Sequence, residues 1–203
     1  YFIFLFKSDL KNKYQYFKLQ VDKLILKKHL ILTYPMAMQE FFASLGYFVF
    51  FKIIEMGGHI ELAATNVIFR IAHASFMPGI GIAQASSTLI GNYLGEKKIH
   101  KAKEIIIQSV YLVVLSMGTM GLFFILFPDS IISIFNVEPE LYPFASPGLQ
   151  YIGILQFVDA VGITMWFALT ASGDVKLPGI VDVAIIWLVF LPLSYILAIK
   201  FGM

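Results

Sequence analysis

The chain has 203 residues, 59% hydrophobic and only 14% charged, with a net charge of +2 and a mean hydropathy of +0.80. Soluble domains are about half apolar and about a quarter charged, so this balance excludes one and specifies an all-α polytopic membrane protein. Cysteine is absent, which excludes disulfides, thiolate metal sites and cysteine nucleophiles.

The opening residues 1–6, YFIFLF, are too short to span a bilayer. They read as the last turns of a preceding helix, and the chain as part of a longer, transporter-sized protein. Residues 7–30 follow as a polar segment with Lys7, Lys11, Lys13, Lys18, Lys23, Lys27 and Lys28. Val21, Leu24, Ile25 and His29 recur there at helical spacing. This reads either as a basic cytoplasmic linker ending in an amphipathic surface helix or as a solvated loop.

Residues 31–203 read as one transmembrane unit of five apolar helices, since each span needs about 20 residues. The expected boundaries are 31–54, 60–94, 102–127, 141–171 and 177–200. Gly57-Gly58, Pro128-Asp129 and Gly173-Asp174 punctuate them.

The second helix, Glu61 to Gly95, organises the rest. Its first half carries Asn66, Arg70 and His73 on an apolar background. Its middle is Met77-Pro78-Gly79-Ile80-Gly81, and small residues lead to Gly91-x-x-x-Gly95. A helix of this kind suits close packing on neighbours that re-satisfy the backbone groups freed by proline.

Lysines cluster before the first helix, between the second and third (Lys97, Lys98, Lys101, Lys103) and between the fourth and fifth (Lys176). The intervening segment 128–141 carries Asp129, Glu138 and Glu140 and no Lys or Arg. The positive-inside rule puts the lysine-rich loops in the cytoplasm, and the expected location is the cytoplasmic (inner) membrane.

A charge at bilayer depth costs several kcal/mol, about 2.5–3.5 on insertion scales, so it faces a partner or a watery cavity. Asp159, central in the fourth helix, reads either as an ion-pathway acid or as a carboxylate fixed to Arg70 or to a backbone kink. Glu40 in the first helix carries the same two readings. Arg70 reads as a structural or gating ion pair. Lys52 and Glu55 snorkel to the outer interface, and Asp182 reaches headgroups near the inner end of the last helix. Gln39, Ser44, Asn66, Gln84 and Gln156 line a cavity or bond between helices.

Enzyme signatures are missing. His29, His59, His73 and His100 have no metal-ligand spacing, and no P-loop or Gly-x-Ser-x-Gly occurs. The sequence therefore predicts no enzyme, no cofactor and no nucleic-acid partner.

Four passages together resemble the C-terminal lobe of the multidrug and toxic compound extrusion (MATE) family. They are Tyr34-Pro35-Met-Ala-Met-Gln39-Glu40 with Gly46; Glu61-Leu-Ala-Ala-x-Asn66, Arg70-Ile, Ser75-Phe-Met-Pro78-Gly-Ile-Gly81 and Leu89-Ile-Gly-x-x-Leu-Gly95; Gln156-x-x-Asp159-Ala-Val with Ala171-Ser-Gly-Asp174; and Trp187, Leu191-Pro192 and Tyr195. The second passage is the specific one, because its order of polar, proline and small residues is long. The resemblance implies one six-helix lobe of a two-lobe transporter, with the last helix and the N-terminal lobe missing here. It implies export of organic cations or amphipathic drugs in exchange for Na⁺ or H⁺. It also implies that Asp159 holds the coupling cation. Glu40 falls about one turn before the position of many members' acid, Ala43 here, and would serve from the same face. Pro78 would be the hinge. The alternatives are a lipid-linked oligosaccharide flippase, which calls for a longer basic cavity, and a non-transporting structural membrane subunit, which has no need of Asp159.

Overall fold

Asp22 accepts a hydrogen bond from the Leu24 amide at 2.8 Å and starts the first helix of the structure, a computed structural model that describes residues 22–135 and 137–201. The expected helix tail at 1–6 and most of the basic segment lie outside the described residues. Helix α1 (Lys23–Glu55) runs through Pro35 without interruption, so the turns expected at 24–30 and the span expected from 31 form one element. Gly57 and Gly58 end it. Gly58 takes a φ of +154°, which favours glycine, and a side chain there would strike Glu61.

Helix α2 (His59–Gly95) continues through Pro78. Pro78 has no N–H, so the Ala74 carbonyl lacks its usual partner. Helix α3 (Ile99–Leu126) leads into the short α4 (Pro128–Ile134), a 3₁₀ turn (Pro139–Leu141) and α5 (Tyr142–Ala171). Gly173 at φ +91° turns the chain into α6 (Lys176–Ile185). A π-helical turn (Ile186–Phe190) joins it to α7 (Leu191–Phe201). Pro192 lies just beyond that turn. Its ring cannot accept the carbonyl of Leu188 in α-helical position, and widening the preceding turn relieves the clash.

The described residues are helical with no strand, as expected for an all-α membrane protein. Among them, α1, α3, 139–171 and 176–198 are long and apolar enough to cross a bilayer. Helix α2 is long enough at 37 residues, but its polar load keeps it below the apolarity of the other four. Many large apolar side chains face outward, Leu188 at 76% exposure and Tyr111 at 73% among them. In water such a surface would aggregate; against lipid it is the ordinary exterior.

The core lies between α2, α3 and α5. One buried cluster joins Ile68 and Ile71 to Phe124 and Leu149, a second joins Ala83 to Val113, Met117 and Ala160, and a third joins Ile90 to Ala102 and Ala168. The buried face of α5 is mostly small, with Ala145, Gly153, Ala160, Thr164 and Ala168 a turn or two apart. The closest approach is at Gly121 and Gly153. A Cβ on Gly153 would stand 2.6 Å from the Gly121 carbonyl oxygen, backbone against backbone. The close packing expected at Gly91-x-x-x-Gly95 is not there: a Cβ on Gly91 would make an ordinary 3.6 Å contact, and one on Gly95 would meet open space. Gly79, next to Pro78, is tight against Met117.

Helices α1, α6 and α7 form a second group outside those core clusters. Their tightest point is Gly46, whose missing side chain leaves room for Ile186. The two groups touch sparingly, α1 on α2 and α5 on α6. The seam between them holds the polar side chains of interest.

Candidate functional site

Glu40 and Tyr47 are seven residues apart on α1 and therefore share a face. The Tyr47 hydroxyl lies within Coulombic range of Asp182 on α6, Asp159 on α5 and Glu40 on α1. Carboxylates on three helices thus lie near enough to one phenol to act on it through charge. Asp159 is half-buried and Glu40 is exposed. None of the ion pairs among the described residues involves Asp159, Glu40 or Asp182. The carboxylates do not converge: no three His, Asp or Glu side chains among the described residues form a metal cage.

Asp182, expected to reach headgroups, has a partner within the protein. Its Oδ2 accepts a hydrogen bond from Gln39 Nε2 at 3.0 Å. The signal available in the sequence was a helical one: Gly179, one turn earlier, has no side chain, and that is where Gln39 packs. Next to this pair Trp187 donates from Nε1 to the Phe42 carbonyl at 3.1 Å, a second tie between α1 and the π-helical turn.

The other expected residues fall in separate places. Gln156 lies one turn before Asp159 on adjacent parts of the same face, but it is turned into the core while Asp159 is half-buried. Gln156 is fully buried and donates from Nε2 to Ser75 Oγ at 2.6 Å, while its Oε1 has no partner. Ser75 in turn donates to the Ala72 carbonyl at 2.7 Å, one turn before Pro78. Gln156 is therefore a bond between α5 and α2, not a cavity wall. Asn66 is exposed and donates to its own helix at the Leu62 carbonyl, 2.9 Å away. Ser44 and Pro78 are exposed. Arg70 is exposed and forms no ion pair among the described residues, so the expected Arg70–Asp159 bridge is absent there. Lys52 and Glu55 pair with each other at 2.8 Å at the end of α1.

Beside the carboxylates lies an aromatic group. Phe50 stacks obliquely on Phe190 with centroids 4.8 Å apart and on Phe69 at 5.6 Å, and Tyr47 stands 6.3 Å from both Phe69 and Phe190. These rings come from α1, α2 and the π-helical turn. Aromatic faces next to unpaired carboxylates attract organic cations, the faces through their quadrupole and the carboxylates through charge.

Comparison with known proteins shows the family of the chain. The family model described as MatE matches residues 35–196. The chain is 30% identical over 171 residues to the probable multidrug resistance protein NorM of Thermotoga maritima, covering 84% of this chain and 37% of that protein. It is 25% identical over 177 residues to the uncharacterized transporter YisQ of Bacillus subtilis, covering 87% and 39%. It is 24% identical over 175 residues to the multidrug resistance protein MdtK of Photorhabdus laumondii, covering 86% and 38%. The chain thus spans less than half the length of these curated relatives.

Proposed function

The chain belongs to the MatE family, and from that premise we propose that it is the acid-bearing half of a cation-coupled exporter of organic cations. The observation that carries the reading is Asp159: a half-buried carboxylate in a membrane helix, without a basic partner among the described residues. Such a group marks an ion path by default. Asp159 binds Na⁺ or H⁺, and Glu40 attracts it from the exposed side of the same seam. Neutralising Asp159 changes the charge balance between the two helix groups and shifts their packing, with the weakened backbone at Pro78 as the flexible point. A drug cation then competes with the coupling ion for the same negative space, flanked by Tyr47, Phe50 and Phe190.

The named relatives are transporters, which supports a non-enzymatic role. The protein lies in the inner membrane with its lysine-rich loops in the cytoplasm. Its partners are the bilayer, small organic cations and the N-terminal lobe of the same transporter. The acidic seam speaks against the flippase reading, which calls for a basic cavity. The unpaired Asp159 speaks against a purely structural subunit.

The test is ethidium efflux from cells expressing the complete protein, wild type against Asp159→Asn, with Na⁺ and pH varied separately. The expected result is efflux that follows one of the two gradients and is lost in the variant at unchanged membrane abundance. Equal efflux by both proteins would overturn the assignment.

A further inference from the structure

A groove of about 900 Å³ lies between α1 and α6, with Gln39 in its wall. Its walls are apolar, from Leu30, Tyr34 and Met38 on α1 to Ile180 and Trp187 on the other side. Lys27 and Lys176 line it at the N-terminal ends of α1 and α6. Neither lysine forms an ion pair among the described residues. The acids closest in sequence are already engaged by backbone: Asp22 accepts from the Leu24 amide at 2.8 Å and Asp174 from the Leu177 amide at 3.2 Å.

We propose that this groove holds an anionic phospholipid, its headgroup phosphate between Lys27 and Lys176 and an acyl chain along the apolar walls. The charge at the mouth selects the occupant. Two free ammonium groups repel an organic cation, so the groove does not serve the exported compound. They attract a phosphate, and basic pockets between membrane helices hold anionic headgroups by this means. Lys176 opens α6 and Lys27 lies in the second turn of α1, near the helix ends where headgroups lie, and their long stems leave the ammonium able to meet a phosphate there. The volume suits a long hydrocarbon chain and is within the range of ordinary ligand cavities. Gln39 lines the groove, which continues past it to Phe42 and Trp187, so the lipid packs along the bonds that join α1 to α6 and to the π-helical turn and stabilises that pairing from the membrane side.

Trp187 lines the groove and reports on it directly. The complete protein is placed in phosphatidylcholine nanodiscs that contain a fixed fraction of lipid with brominated acyl chains. That lipid is either phosphatidylglycerol or phosphatidylcholine, and the Trp187 signal is the fluorescence difference between wild type and Trp187→Phe. Brominated phosphatidylglycerol quenches Trp187 in preference to brominated phosphatidylcholine, by about fivefold for each contributing lysine. The preference disappears in Lys27→Gln/Lys176→Gln and persists in Lys101→Gln/Lys103→Gln, which removes equal charge elsewhere. Equal quenching by the two lipids overturns the proposal, as does a preference that survives Lys27→Gln/Lys176→Gln. A preference lost equally in both double variants overturns it in favour of general surface charge. No quenching by either lipid overturns it in favour of a protein segment, from the same chain or a second copy, seated in the groove.

Discussion

Gln39 and Asp182 meet across 143 positions of sequence, amide nitrogen to carboxylate oxygen at 3.0 Å. Each lies on a helix of the smaller group, and each borders the acidic seam. Hydrogen bonds to charged groups are worth about 1.5–3 kcal/mol. Gln39→Leu leaves the carboxylate without its donor and lowers the unfolding midpoint of the purified complete protein. Asp182→Asn keeps an acceptor in place and lowers it less. Gln39→Leu/Asp182→Leu recovers part of the loss, because no polar group is then stranded. Thermal unfolding in detergent micelles checks the order of the three.

The two carboxylates assigned to the coupling ion differ in burial, and their variants should differ accordingly. Asp159→Asn removes the half-buried charge and with it gradient-driven efflux. Glu40→Gln removes an exposed charge that attracts the ion without enclosing it. Its expected effect is a weaker apparent affinity for Na⁺ or H⁺ at an unchanged maximal rate. Efflux measured against a series of Na⁺ concentrations and pH values separates the two patterns.

Gly153 tolerates no side chain. The added Cβ of Gly153→Ala would lie 2.6 Å from a carbonyl oxygen and 2.9 Å from Ile125 Cγ1. Overpacking of this kind costs about 1–3 kcal/mol. Gly95→Ala meets nothing within 4 Å and replaces a poor helix former near a helix end. It is expected to be neutral or stabilising by up to about 1 kcal/mol. Expression level and thermal unfolding of the two variants, compared side by side, test where α5 is packed tightly.

Ser75 and Gln156 form a bond in the core at 2.6 Å, and Gln156 Oε1 has no partner. Ser75→Ala strands the amide and costs about 1 kcal/mol. Gln156→Leu removes both the donor and the unpartnered acceptor and costs less. Coupling between the two in a double-mutant cycle is expected at about 0.6 kcal/mol and below about 1.7 kcal/mol, the average and the maximum for bonds between membrane helices. Additive effects would show that the two side chains do not meet in the membrane.

The sequence by itself determined the class, the helices and the family. Hydropathy is a property of each segment alone, so the long helices read correctly from 59 to 201 with shifts of only a few residues. Glycine and proline act locally as well, and the breaks at Gly57-Gly58 and Gly173-Asp174 fell where expected. Asp159 was legible because the one charge in an otherwise uncharged 30-residue helix is conspicuous without any fold.

Which faces meet was decided by the tertiary structure. In a membrane helix both the buried and the lipid-facing sides are apolar, so periodicity does not reveal the side that packs. Gly91-x-x-x-Gly95 has the familiar spacing and packs loosely, while Gly121 and Gly153, on different helices, bring two backbones together. Gln156 and Asp159 are neighbours on one turn, yet one is sealed in the core and the other faces the seam. Asp182 became a candidate only when α6 was laid against α1 and Gln39 was found beside it. Short-range chemistry fixes each helix; the partner of a polar side chain depends on helices far away in sequence, and only their packing names it.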